Sequence, residues 1–408
     1  MKKYLLLIAL ISLINLGNAQ TAYITNYGDN SVSVINVATN TVIITIPVGS
    51  CPSGVSVNPN GSKVYIANQI DNTISVINTN SNTISAIIPV GYGPDGISVN
   101  PNGSYVYVTN RTDNTVSVIN TATNNVSATI PVGHSPTGIA VSPDGLKVFV
   151  ANKSDNTVSV INTATNTVLT TIPVGSGPHG IAVSHDNSKV YVSNDNLINC
   201  SVSVINTASN SVTATIPVGS FPVGVSVSPD GSKVYVVLNG IDKVSVINTT
   251  TNTVSASISV GRSPVGISVS PDGSKVYVAN VMDSSISVIN TLSNIVSDTI
   301  AVGSHPSAFG NFISTYTTGI SSFVIESENI SIYPNPFNTQ TILKSDIPLH
   351  NATLTVVNCF GQEVKQIKNI SGQTITFSRD NLVSGLYFLR LTEGNKTFSI
   401  DKLIITNN

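Results

Sequence analysis

Val106-Tyr107-Val108-Thr109-Asn110 opens the segment VYVTNRTDNTVSVINTATNNVSATIPVGHSPTGIAVSPDG, which begins again 42 residues later at Val148 as VFVANKSDNTVSVINTATNTV. The Asn closing each SVIN-type run falls at Asn36, Asn78, Asn120, Asn162, Asn206, Asn248 and Asn290, in steps of 42, 42, 42, 44, 42 and 42 residues. The chain therefore holds seven copies with one two-residue insertion. A period in the low forties, made of short strand-like runs, predicts a propeller with one blade per repeat.

Within a copy, four runs rich in Val, Ile, Tyr and Thr are separated by turn residues, the pattern of strands. In one copy they are Gly138 to Ser142 (A), Lys147 to Asn152 (B), Thr157 to Asn162 (C) and Thr167 to Val174 (D). Strands B and C are apolar or small on both faces, so they lie between two covering layers, the neighbouring blades. Strand D carries Pro47, Pro89, Pro131, Pro173 or Pro217. Proline cannot donate a ladder hydrogen bond, so D is the outer edge and A the inner strand. The middle of A is small (Ser56, Ser98, Ala140, Ala182, Ser226, Ser268), as the narrow end of a wedge requires. Turns such as Asn100-Pro101-Asn102-Gly103 and Ser142-Pro143-Asp144-Gly145 join A to B. Proline presets the first turn angle and glycine accepts positive φ. One carboxylate per turn is too few for calcium.

The first copy starts at strand B, Thr21 to Asn26, and a leftover A-like segment begins at His305 after the last D. That segment is expected to complete the first blade, with Ala308 to Ser314 beside Thr21 to Asn26. Closing the ring this way removes the exposed edges of an open array.

These repeats resemble the YVTN family of β-propeller proteins over about Thr21 to Ser314. VYVTN at Val106, VYVSN at Val190 and VYVAN at Val276 carry the resemblance, with Phe149 and Leu238 as mild departures. It implies secreted or surface proteins.

Before the repeats, Met1-Lys2-Lys3, an apolar run from Tyr4 to Leu13 and Gly17-Asn18-Ala19 make a secretory signal peptide over 1–19, cut after Ala19. The run is short of the ~20 residues a span needs. After the propeller (20–314) comes a linker (315–328), then a strand-rich segment (329–408) expected to form a small β-sandwich. Its Tyr333-Pro334-Asn335-Pro336 start, its Ser384-Gly385-Leu386-Tyr387-Phe388-Leu389-Arg390-Leu391 strand and its Lys402-Leu403-Ile404-Ile405-Thr406 end resemble the type A C-terminal sorting domain of the type IX secretion system. The resemblance implies export through the periplasm and partnership with that machinery, leaving the protein secreted or attached to the outer surface. The fold class is thus all-β, a seven-bladed propeller of four-stranded blades followed by a small sandwich.

Charged residues make up 9% of the chain and the net charge is −2, which disfavours nucleic-acid binding. Tryptophan is absent, unlike WD-type and kelch blades. Cys51, Cys200 and Cys359 form no CxxC and no zinc pattern. Cys51 and Cys200 fall about three blades apart, beyond the ~7 Å between Cα atoms that a disulfide allows. Cys359 is expected inside the C-terminal domain.

The A–B and C–D turns on one face of the ring are nearly uniform. The D–A and B–C loops on the other face vary, the D–A loops within a Gly-x-x-Pro-x-Gly frame. Tyr92, Asp95, His134, His179, Phe221, Arg262 and His305 vary in the D–A loops, and Arg111 and Lys153 in the B–C loops. This face is the expected ligand face, taking a glycan or protein. His134 and His179 sit at different offsets in their loops, which favours solvated imidazoles over a metal site. Arg262 suits an anionic ligand or plain solvent. No cofactor is expected, and no G-x-S-x-G, HExxH or P-loop is present. The leading expectation is a non-enzymatic binding module. The alternative is a propeller enzyme of lyase or lactonase type at the channel mouth, and the A strands read as offering it few ionisable groups.

Overall fold

A computed structural model describes residues 20–195, 199–314, 330–358, 363–393 and 396–406. The expected signal peptide, the linker, Cys359 and the inserted Leu197-Ile198 lie outside the described residues. The described residues fall into two compact units, one ending at Ser314 and one starting at Ile330.

The first unit is the expected propeller. Blade 3 is typical. Its strands A (Pro94–Val99), B (Tyr105–Asn110), C (Thr115–Asn120) and D (Asn125–Pro131) pair in sequence order, all antiparallel. Blades 2 and 4 to 7 repeat the arrangement. Blade 1 holds B (Thr21–Asn26), C (Ser31–Asn36) and D (Thr41–Pro47) in sequence. The segment after the last blade supplies its A strand, through antiparallel bridges Ala22↔Ile313 and Asn26↔Pro306. Tyr23 N donates to Phe312 O at 2.9 Å, and Ser307 N to Thr25 O at 2.8 Å. The ring is therefore clasped between its two ends, as the strand phase requires.

Burial follows the roles of the strands. The interior positions of B and C are buried in every blade, while D is largely exposed apart from one buried Ile before its last residue, such as Ile46 or Ile130. The apolar clusters form between blades: Tyr65, Ile74 and Val76 of blade 2 pack with Ile97, Val106 and Val108 of blade 3. One cluster joins Tyr277 and Val288 of blade 7 to Ile24 and Val34 of blade 1, so the closing joint is packed like the others.

The VYVTN run has a job at each position. The aromatic residue is fully buried at Tyr65, Tyr107, Phe149, Tyr191, Tyr235 and Tyr277. Burial pushes Tyr107, Tyr191 and Tyr235 up to about 12. Thr109 Oγ1 donates to Thr137 O of the next blade at 2.8 Å and accepts from Gly96 N at 2.8 Å. Asn110 Nδ2 donates to Thr115 Oγ1 and Ser117 Oγ on strand C, both at 2.9 Å. Around the axis the A strands approach backbone to backbone. A Cβ on Gly96 would stand 2.2 Å from Thr137 O, and the same holds at each Pro-x-Gly glycine from Gly54 to Gly266.

The second unit is a five-stranded antiparallel sheet that branches at the strand Gln340–Asn358, which pairs with three of the others. The long strands Gln340–Asn358 and Glu363–Ser378 pair through several register shifts, which lets them bend over one core. That core includes Phe337, Leu354, Phe377, Leu389 and Leu403. Among the described residues of both units, no helix is long and apolar enough to cross a membrane.

Candidate functional site at one mouth of the channel

The D–A loops that follow blades 1, 2, 3 and 6 are each held by side chains from the B–C loops of both blades they connect. Tyr92 N donates to Asp113 of blade 3 at 2.7 Å, and Gly93 N to Asn72 of blade 2 at 2.9 Å. His134 and Ser135 repeat this with Asp155 and Asn114, and Arg262 and Ser263 with Asp283 and Asp242. Two side chains thus fix the loop backbone, and the residues between are free to vary. The third loop position is left-handed. Gly93 and Gly177 take it at φ 66° and 65°, and Phe221 and His305 at φ 52°.

Two rings of side chains surround the channel on this face. The inner ring is the residue after the proline that opens each A segment, in Pro-x-Gly six times and Pro306-Ser307-Ala308 once: Ser53, Asp95, Thr137, His179, Val223, Val265 and Ser307. The outer ring follows strand B: Tyr27, Gln69, Arg111, Lys153, Asp195, Asn239 and Val281. Polar and charged groups crowd onto blades 2 to 5, and valines onto blades 6 and 7.

Asp95 is 7% exposed. It accepts from Gln69 Nε2 at 3.0 Å and Ser53 Oγ at 3.2 Å. Burial pushes its carboxyl up, against the pull of Arg111, Ser53, Gln69 and Lys153. His179 is driven down to about 3, first by burial and then by the charges of Lys153 and Arg111. Its Nδ1 is buried without a hydrogen-bond partner. Its ring meets Phe309 of the closing segment edge-on, with centroids 5.1 Å apart. Lys153 Nζ lies 3.4 Å from Asp195 Oδ2. The same two cations thus act on a buried carboxyl and a neutral imidazole.

Of the residues expected from the sequence, Asp95, His179, Arg111 and Lys153 come together here. Tyr92, Arg111 and His134 share an adjoining open groove of about 860 Å³ along blades 2 to 4. Phe221, Arg262 and His305 join neither group. Arg262 Nε is paired with Asp283 at 2.6 Å, and His305 Nδ1 meets Ser304 Oγ at 2.7 Å. Sequence reasoning missed Ser53, Gln69, Thr137, Asp195 and Phe309, although the repeat register places the first four on the same two rings. It also erred on strand A, which supplies two ionisable groups near the axis, because Asp95 and His179 belong to that strand and not to the loop before it. The uniform turn face carries a feature of its own. A funnel of about 600 Å³ runs from turn prolines such as Pro101 and Pro143, past His185, to Phe309. Cys51 and Cys200 are not joined in a disulfide.

A closed ring of seven four-stranded blades defines the β-propeller class. The chain matches the cytochrome D1 heme domain over residues 62–299, more than half its length, and belongs to that family. Residues 331–406 match the secretion system C-terminal sorting domain, so the protein is addressed for export to the cell surface or the medium. Among solved structures it is similar to the Kuenenia stuttgartiensis hydrazine synthase, at 22% identity and a TM-score of 0.62, over 66% of this chain and 92% of that one. It is also similar to a functionally unknown protein from Desulfotomaculum acetoxidans DSM 771, at 19% identity and a TM-score of 0.64, over 73% of this chain and 99% of that one. At these identities the likeness is one of fold. No curated protein matches the chain.

The family name carries a haem, and the residues present do not fit one. A haem needs an axial ligand at an apolar slot wide enough for the macrocycle. His179 lines neither cavity and has Phe309 against its ring. The groove that holds His134 is open and lined mainly by Asn, Gln, Thr and Ser, and His134 Nδ1 is bound to Asp155 Oδ1 at 2.9 Å. The funnel has aliphatic walls, with His185 as its one imidazole among turn prolines. Among the described residues, no group of three or more His, Cys, Asp or Glu side chains is placed to share a metal.

Proposed function

We propose that this is an exported binding module that takes its ligand on the D–A and B–C face, at the polar half of the channel mouth. The observation that carries the reading is the convergence of Arg111 and Lys153 on Asp95 and His179, four side chains from blades 3, 4 and 5. Variable residues on a fixed loop frame are what a ring of equivalent repeats needs for recognition. The VYVTN repeats, which resemble those of YVTN-type surface proteins, and a sorting domain read as the type IX address support the same view.

A second reading has a specific observation behind it. A carboxyl pushed up by burial and a neutral imidazole, beside two cations, is a combination used for acid–base chemistry. Under that reading the protein is a propeller enzyme of lyase or lactonase type, with Asp95 as the proton-transferring group.

The test is a glycan and metabolite array run in parallel on the full chain and its Arg111→Gln/Lys153→Gln variant. The binding reading expects hits that the variant loses at unchanged melting temperature. Hits that survive in the variant contradict it. Turnover of a hit, abolished by Asp95→Asn, decides for the enzyme.

A further inference from the structure

The open groove beside the mouth has a composition of its own. It runs along blades 2 to 4 and holds about 860 Å³. Asn72 and Asn114 use their Oδ1 atoms to hold the loop backbones of Gly93 and Ser135, which leaves their NH2 groups as donors. Thr112 and Ser154 add hydroxyls along the same wall. His134 Nδ1 is engaged by Asp155, so the imidazole presents Nε2 outward as an acceptor when neutral. The groove thus offers both donors and acceptors and is open to solvent.

Two side chains break the repeat pattern here. The first variable position of the D–A loops is Ser50, Ser176, Ser220 or Ser304 in four of the seven copies, whereas it is Tyr92 and His134 in the groove. Tyr92 is 64% exposed, a flat ring facing solvent that ordinary burial does not explain. Arg111 is exposed and lies where groove and mouth meet, since it lines the one and acts on Asp95 and His179 in the other. Lys153 and Arg262 have carboxylate partners. Among the described residues no ion pair engages Arg111.

We infer that the groove binds an acidic oligosaccharide, with Tyr92 stacked on a sugar ring and Arg111 paired with a uronate carboxylate. This rests on the ligand-face reading above and gives it a ligand class. A sugar hydroxyl donates and accepts at once, which matches the mixed wall. An aromatic ring offers an apolar face to the C–H side of a pyranose. A guanidinium pairs with a planar carboxylate through two parallel hydrogen bonds. A peptide ligand would need buried anchor pockets, and a nucleic acid would need many cations.

The test is calorimetric titration of the full chain with oligogalacturonate, oligomannuronate and hyaluronan oligomers, each beside its carboxyl-reduced counterpart. At least one uronate is expected to bind, and carboxyl reduction should weaken it about tenfold, the scale of one charge-assisted pair. Arg111→Gln should lower affinity for the acidic oligomer about tenfold and barely affect the reduced one, with Arg111→Lys in between. Tyr92→Ala should weaken both, and Lys243→Gln, a cation of blade 6 outside the groove, neither. Melting curves confirm that each variant is folded. Failure of all three uronates to bind, or an Arg111→Gln variant that binds like wild type, overturns the inference. A reduced oligomer that binds as tightly as its acidic form and depends on Tyr92 overturns the acidic class alone and leaves the ligand-face reading standing.

Discussion

The Asn that ends strand B shows how one residue type sets a blade. Asn26, Asn68, Asn110, Asn152, Asn194 and Asn280 are fully buried, and each Nδ2 reaches two hydroxyls on strand C, as Asn110 does. The glycine of the D–A loop rests on the same amide. A Cβ on Gly91 would stand 2.6 Å from Asn110 Cγ. Blade 6 replaces the amide by Leu238, and Gly219 rests on it instead. Asn110→Ala should therefore cost about 1–3 kcal/mol, because the buried Ser117 hydroxyl and the partly buried Thr115 hydroxyl lose their donor and a cavity opens. Asn110→Leu, which keeps the volume as blade 6 does, should cost less. Thermal unfolding of the two variants checks the order, and an Ala variant at least as stable as the Leu variant contradicts it. The frame was legible in the sequence because it recurs with the repeat. The Asp-Asn pairs at Asp71-Asn72, Asp113-Asn114 and Asp155-Asn156 recur just as visibly. Their partners lie in loops 21 residues away, so their clamping role appears only once the blades are in place.

At the scale of strands, proline and small residues were enough to order the blade. Proline at the end of D marked the edge, and small residues in A marked the axis. Ser98 Oγ, for example, accepts from Val141 N of the next blade at 3.2 Å. Register also foretold the clasp, since a chain that begins on B and ends on A has one way to close. Truncation after Gly303 removes Ala308, Phe309, Phe312 and Ile313, all buried, and bares strand B of blade 1. The melting temperature should fall by about 10 °C or more, since burying each Phe or Ile side chain of this kind is worth about 1.5–3 kcal/mol. An unchanged melting curve contradicts the clasp. The same segment carries Phe309 to the axis, where it meets His179 from blade 5. Nothing in the sequence near either residue announces that contact. It depends on two elements 130 positions apart converging on the ring centre.

Over the whole molecule, the sorting domain and the propeller are separate units. The sorting domain at 331–406 has its own core of Phe337, Leu354, Phe377 and Leu403, and the propeller is clasped by its own ends. Deleting Ser331 to Asn408 should leave a folded propeller that accumulates in the periplasm and disappears from the surface and medium. Cell fractionation with an antibody to the propeller checks this, and normal surface levels of the truncated protein contradict it. The division also explains what the sequence could and could not tell. The fold follows from repetition, which a single chain displays seven times over. The site depends on departures from repetition, and these were visible as variable positions without their positions in space. Four of them, Asp95, Arg111, Lys153 and His179, prove to be neighbours, while Phe221, Arg262 and His305 sit on the same face without joining them.

The central claim is that ligand recognition belongs to the D–A and B–C loops of blades 2 to 5. Hydrogen exchange of the full chain, with and without a ligand found on the array, tests it most directly. The account predicts slowed exchange in peptides covering Tyr92–Gly96, Arg111–Asn114, His134–Gly138 and Gly177–Gly180, with the turns at Pro101–Ser104 and Pro143–Leu146 unchanged. Protection confined to those turns and to the A-strand residues lining the funnel would contradict it, and would move the site to the opposite face of the ring.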